Sequence, residues 1–190
     1  MRPRELKRLE KEISDIKLLS ADSLINAETV DGDLTHWRGS LLGPEGTPYE
    51  GGKFLLDIAV PSDYPYTPPK IRFETKIWHP NISSQTGAIC LDVLGKEWSP
   101  ALTIRTALIS IQALLSAPEP DDPQDAQVAR QFKIDRPAFD QTAKYWTATY
   151  ASGVDSESRL TDMGFDNAAV KNALQKAGGD EQGALNILLG

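Results

Sequence analysis

Residues 79–101 read HPNISSQTGAICLDVLGKEWSPA: His79-Pro80-Asn81, then the single cysteine in Cys90-Leu91-Asp92, then Trp98-Ser99-Pro100-Ala101. A cysteine kept for packing sits among apolar residues as a small hydrophobe. Cys90 instead lies in a polar, proline-marked segment, which gives the sulfur an open approach and polar groups to manage its charge. It therefore reads as a nucleophile. The same segment divides the chain, with strand-like runs before it and helical runs after it.

Upstream, Arg2 to Leu19 carries Leu6, Leu9, Ile13 and Ile16 at helical spacing, with Arg4, Lys7, Arg8 and Lys11 on the opposite side. That basic stripe is either a solvated face or a docking face for an acidic partner. Leu24 to Val30 and Leu34 to Leu41 flank Asp31-Gly32-Asp33, a hairpin signal. Lys53 to Val60 and Ile71 to Phe73 complete four strand-like runs, which predict an antiparallel meander with one buried face. Gly43 to Gly52 is a loop by composition. Pro61 to Lys70 holds four prolines, which lack the N–H of a sheet ladder, so it is a rigid connection with Tyr64 and Tyr66 packed on it or facing a partner.

Downstream, Leu102 to Ala117 reads as a central, largely buried helix. Asp122-Pro123 reads as a cap followed by proline at the first helical position, opening a helix to about Lys133. Arg136 to Tyr150 is a further amphipathic helix. A helix, four strands, an active loop and then helices make the catalytic part α+β. Composition shifts at residues 151–155, a short linker. Beyond it, Ser156 to Met163 forms one helix, Asp166 or Asn167 caps a second, Gly178-Gly179 stops it, and Asp180 caps a third. The predicted architecture is a domain over residues 1–150 and a three-helix bundle over 156–190.

The chain has 190 residues, 40% hydrophobic and 25% charged, with a net charge of −7. These values suit a soluble globular protein and argue against a general nucleic-acid binder. One cysteine forms no internal disulfide, which fits a reducing compartment. The charged N-terminus lacks a signal peptide's apolar stretch, and no run approaches the roughly 18 apolar residues of a membrane span.

In order along the chain, Tyr64-Pro65-Tyr66-Thr67-Pro68-Pro69-Lys70, His79-Pro80-Asn81, Gly87-Ala88-Ile89-Cys90-Leu91-Asp92, Trp98-Ser99-Pro100-Ala101 and Pro120-Asp121-Asp122-Pro123 resemble the ubiquitin-conjugating enzymes. Met163-Gly164-Phe165, Gly179-Asp180 and Leu188-Leu189 resemble a ubiquitin-associated (UBA) domain. The pairing is similar to the subgroup that builds degradation-type ubiquitin chains through one ubiquitin lysine. The resemblance implies that Cys90 takes ubiquitin as a thioester from an activating enzyme that uses ATP, and passes it to a lysine amine. Asn81 would serve the oxyanion or brace the loop, Asp122 would orient the lysine, and Asp92 would shape its approach. His79 and Pro80 would be structural.

It further implies that Arg4, Lys7, Arg8, Tyr66, Ser99, Pro100 and Ala101 meet the activating enzyme and RING- or HECT-type ligases, and that donor ubiquitin folds onto Ile109 and Ala113. Met163, Gly164, Phe165, Leu188 and Leu189 would bind ubiquitin through the UBA domain. The implied enzyme is a cytoplasmic and nuclear monomer acting on protein substrates, with no metal, no tightly bound cofactor, no nucleic acid and no membrane partner. Tyr66 stands where many relatives carry phenylalanine, and insertions beside the active site are absent. Two alternatives remain: an inert ubiquitin-binding adaptor, and a thiol hydrolase using a Cys/His pair. A strong base beside Cys90 would waste the thioester to water, and His79, before Pro80, reads as structural. His36 reads as a sheet residue.

Overall fold

The computed structural model describes residues 2–19, 24–152, 160–161, 163–177 and 181–189. Two compact units divide at Ala151 and Ser152. In the first, α1 (Pro3–Leu19) buries Leu9, Ile13 and Ile16 and half-buries Leu6, as the apolar stripe requires. It also buries Glu5 and Glu12, which lie beside Leu9 and Ile16 at helical spacing and bring charge to the edge of that stripe.

Strands β1 (Ile25–Val30), β2 (Asp33–Leu42), β3 (Lys53–Ala59) and β4 (Lys70–Phe73) form an antiparallel sheet in sequence order. At the β1–β2 turn, Asp31 and Gly32 have φ of 52° and 77°. A two-residue hairpin needs that left-handed pair for its twist to match the strands. Alternation places Trp37, Leu41, Phe54, Leu56, Ile58, Ile71 and Phe73 in the core. In the loop after β2, a Cβ on Gly43 would lie 1.8 Å from the Tyr49 carbonyl oxygen, so only glycine fits there.

Helix α2 (Ile104–Ser116) lies on the buried face of the sheet. It spends Ile104, Ala107, Leu108, Ile111 and Leu115 on the core and leaves Ile109 and Ala113 exposed. Each buried leucine or isoleucine side chain contributes about 1.5–3 kcal/mol. Thr103 caps the helix reciprocally: its side chain accepts from the Thr106 amide, and the Thr106 hydroxyl accepts from the Thr103 amide.

Helix α3 (Ala126–Ile134) begins later than Asp122-Pro123 predicts. Asp125 is the cap, accepting from the Val128 amide and from both the amide and the hydroxyl of Ser84. The sequence offers two Asp-led starts three residues apart. Contacts with Ser84, and with the Pro80 carbonyl that accepts from the Gln124 and Asp125 amides, select the second. Helix α4 (Arg136–Tyr150) follows at once, capped by Asp135, and buries Phe139, Ala143 and Thr147.

In the second unit, α5 (Asn167–Lys176) is capped by Asp166, and α6 (Glu181–Leu189) packs against it. Leu160, Val170, Ala173 and Ala184 form its core, with Phe165, Leu174, Ala177, Leu185 and Leu188 packed around them. Of the predicted first helix only residues 160–161 and 163 are described, the first two helical. Residues 153–155 of the linker, the Gly178-Gly179 stop and the Asp180 cap lie outside the described residues. Among the described residues no helix is long and apolar enough to cross a membrane.

Candidate active site

The segment from His79 to Cys90 doubles back on itself. His79 bridges Ile82, Ile82 bridges Ile89, and the Cys90 amide donates to the Asn81 carbonyl at 2.9 Å. Gly87 permits the return at φ 73°, where a Cβ would lie 2.0 Å from the Phe73 carbonyl oxygen. The loop thereby holds Cys90 at the rim of a small depression of about 50 Å³, lined by Asn81, Leu91, Asp92, Leu114, Glu119 and Asp122.

His79 is fully buried and both its ring nitrogens are engaged. Nε2 donates to the Leu114 carbonyl at the end of α2, and Nδ1 accepts from the Asn81 amide, each at 3.0 Å. Burial pushes the imidazole down to about 4, so it is neutral at physiological pH. The other histidine, His36, pairs with Asp57 on the sheet at 2.7 Å. Neither ring is available to Cys90 as a base.

Asn81 is also buried, at 2% exposure. Its Nδ2 donates to the Glu119 and Asp122 carbonyls, both at 2.9 Å, and its Oδ1 accepts from the Glu119 amide at 2.8 Å. In this state the side chain braces the 119–122 segment against the cysteine loop, and both amide hydrogens are used in doing so. The brace sets Asp122 opposite Cys90, with Cys90 Sγ 3.8 Å from Asp122 Oδ2. Asp92 opens a short 3-10 turn, Asp92–Leu94, and pairs with Lys96 at 3.2 Å. Burial, then the Asp122 carboxylate, with Asp92 and Glu119 acting the same way, hold the Cys90 thiol above its ordinary range.

Residues 8–147 match the ubiquitin-conjugating enzyme family, and residues 158–188 match the UBA/TS-N domain. The chain belongs to the ubiquitin-conjugating enzymes. It is 52% identical to ubiquitin-conjugating enzyme E2 27 of Arabidopsis thaliana over 187 residues, 97% of each chain. It is 51% identical to ubiquitin-conjugating enzyme E2 K of Homo sapiens over 172 residues, 87% of this chain and 86% of that one. Among solved structures, a ubiquitin-conjugating enzyme E2 domain of Toxoplasma gondii matches at 62% identity and a TM-score of 0.74, covering 77% of this chain and 99% of that one. Thioester transfer is the general activity of this family, and its partners are ubiquitin, an activating enzyme and ligases. The UBA domain is a ubiquitin-binding module.

The other residues picked out in the sequence fall into three places. Arg4, Arg8, Tyr66 and Pro100 line one cleft with Arg2, Glu5 and Pro65, of about 380 Å³, while Lys7, Ser99 and Ala101 are exposed nearby in sequence. Tyr66 is 68% exposed, whereas Tyr64 is fully buried, so the two tyrosines divide between surface and core. Arg8 differs from its stripe neighbours: its guanidinium is turned inward onto main-chain carbonyls instead of standing free in solvent. In the second unit Met163, Gly164 and Leu189 are exposed, while Phe165 and Leu188 pack on the core.

Sequence reasoning missed Glu119, Asp125 and Glu12. Glu119 acts on Asn81 through main-chain atoms, which carry no residue signature. Asp125 could have been found as a second cap signal. Glu12, four residues after Arg8, could have been found as an ion-pair partner on the helix.

Proposed function

We propose that this enzyme carries ubiquitin as a thioester on Cys90 and transfers it to lysine amines, including one lysine of ubiquitin itself, so building degradation-type chains. The observation that carries the reading is a half-buried thiol facing one carboxylate, with no imidazole free to serve it. In the first step the Cys90 sulfur, losing its proton, attacks the activating enzyme's thioester carbonyl, and that enzyme's thiol leaves. In the second, the lysine nitrogen attacks the Cys90 thioester, loses its proton and expels the Cys90 sulfur, which regains one. A thiol held above its ordinary range makes a poorer leaving group, so the thioester resists water until an oriented amine arrives.

An amine hydrogen-bonded to Asp122 lies within reach of a thioester carbon on Sγ. Its proton is the first obstacle, since a free lysine titrates near about 10.4. The carboxylate stabilises the ammonium that develops during attack. Asp92 borders the same approach. Asn81 sets the height of the Asp122 main chain, and its amide group lines the Cys90 depression and can donate to the oxyanion once the thioester displaces its present contacts. Arg4, Lys7, Tyr66, Ser99, Pro100 and Ala101 form the face for the activating enzyme and for RING- or HECT-type ligases. The exposed pair Ile109 and Ala113 receives donor ubiquitin. In the UBA domain Met163 and Leu189, beside Gly164, Phe165 and Leu188, hold ubiquitin and raise its effective concentration near the thioester. The single thiol suits the reducing cytoplasm and nucleus.

The test is a charging reaction with activating enzyme, ATP and ubiquitin, run without reductant beside Cys90→Ala. A thiol-sensitive adduct that is lost in the variant and discharges onto free lysine supports transfer. Release of free ubiquitin without a lysine adduct overturns it in favour of hydrolysis. Chains grown on ubiquitin variants that each lack one lysine then report linkage.

A further inference from the structure

Beneath the partner face lies a partly buried ionic cluster that joins three segments of the chain. Arg8 directs Nη1 to the Pro100 carbonyl at 2.7 Å, Nη2 to the Leu102 carbonyl at 2.6 Å and Nε to Glu12 at 2.7 Å. Its guanidinium also lies over the Tyr64 ring, 5.3 Å from the centroid. Glu12 is only 6% exposed and is satisfied on both oxygens. Oε1 accepts from Arg8 and from the Tyr64 hydroxyl, and Oε2 accepts from that hydroxyl and from the Ile104 amide at 2.9 Å. The Ile104 amide is one of the orphan donors at the start of α2, so one carboxylate of α1 caps another helix. A buried charge is tolerated only with such a complete set of partners.

The geometry points to Arg8 and Glu12 as positioning residues for partner binding: Arg8 is a fork that fixes the main-chain path from Ser99 to Leu102, not a charge presented to a partner. This inference rests on the partner face proposed above and deepens it. Ser99, Pro100 and Ala101 expose their side chains while their backbone is held from below by α1. Glu12 sets the plane of the fork and ties it to the first turn of α2. A lysine ammonium carries the same charge but is a compact point donor, and it does not reproduce a planar fork reaching two carbonyls and a carboxylate. A surface charge survives the change from arginine to lysine, whereas a fork does not.

The experiment uses the full chain with Arg8→Lys, Tyr64→Phe and Lys7→Glu. It measures KM and kcat for charging by the activating enzyme, and hydrogen exchange at the Leu102 and Ile104 amides. Arg8→Lys is expected to raise KM at least fivefold with a smaller change in kcat, and to speed exchange at those amides at least tenfold. Tyr64→Phe, which removes one hydroxyl from Glu12 and keeps the ring beneath Arg8, is expected to show the same two effects at a smaller size. It decides the matter should Arg8→Lys not fold. Lys7→Glu should raise KM and leave the exchange as in the parent. If Lys7→Glu raises KM and Arg8→Lys leaves it within twofold, the positioning pair is wrong and the partner face stands. A raised KM for Arg8→Lys with parental exchange overturns the inference too, because Arg8 is then a contact. If neither variant raises KM, the partner-face reading itself fails.

Discussion

Acidification should weaken the catalytic unit through His79, well before its carboxylates are neutralised. In the folded state the imidazole titrates at about 4, against 6.5 for a free histidine. Well above pH 6.5 both states are neutral and the residue contributes no pH dependence. As the pH falls below 6.5 the unfolded chain takes up a proton that the folded chain refuses, so stability drops. The loss reaches about 2 kcal/mol at pH 5 and levels off at about 3.4 kcal/mol well below pH 4, since each tenfold difference in proton affinity between the two states is worth about 1.4 kcal/mol. The refusal has a structural cause: a protonated ring cannot accept the Asn81 N–H, and it would place a charge in the core. All four tryptophans, Trp37, Trp78, Trp98 and Trp146, lie in the first unit, so urea melts followed by tryptophan fluorescence report that unit in the full chain. The comparison is with His79→Gln, which is less stable at pH 7 but has no proton to gain. The gap between the two proteins should narrow by about 2 kcal/mol from pH 7 to pH 5. Curves that run parallel over that range would refute the neutral, doubly bonded histidine.

Asp122→Asn removes the main charge that holds the Cys90 thiol up, so alkylation by iodoacetamide at neutral pH should become faster while transfer to lysine falls by about 10²-fold or more. Opposite directions for the two rates are the signature, and a parallel fall in both contradicts it. Asn81→Ala strips three hydrogen bonds from the 119–122 segment, each worth about 0.5–1.5 kcal/mol. Thermal melts should show the loss, and discharge to lysine should suffer more than charging. Ile109→Arg changes an exposed position on α2, so stability should stay within about 0.5 kcal/mol by melting while discharge from the charged thioester slows. An unaltered discharge rate removes the donor-ubiquitin surface from α2.

Local pattern gave much of the architecture, because the elements in question obey local rules. The spacing of Leu9, Ile13 and Ile16 fixes the buried side of α1, and the left-handed pair Asp31-Gly32 fixes the first hairpin. The α3 boundary was not legible, since Asp122 and Asp125 are both good caps and the choice was made by Ser84 and Pro80, about forty residues away. Arg8 and Glu12 show a deeper limit. A helical stripe rule places Arg8 among the charged residues facing water, yet Glu12 and the carbonyls of Pro100 and Leu102 draw its guanidinium inward. At the site, the polar setting of Cys90 could be read directly. The brace formed by Asn81 could not, because its partners are backbone atoms of Glu119 and Asp122.

The environment of Cys90 also bears on oxidation. The thiolate is the form that attacks peroxide, and a thiol held above its ordinary range is mostly protonated at neutral pH. The chain has no second cysteine to capture a sulfenic acid as an internal disulfide, so any oxidised Cys90 would need an outside reductant. The carboxylates that hold the Cys90 thiol protonated therefore also make it slow to react with oxidants.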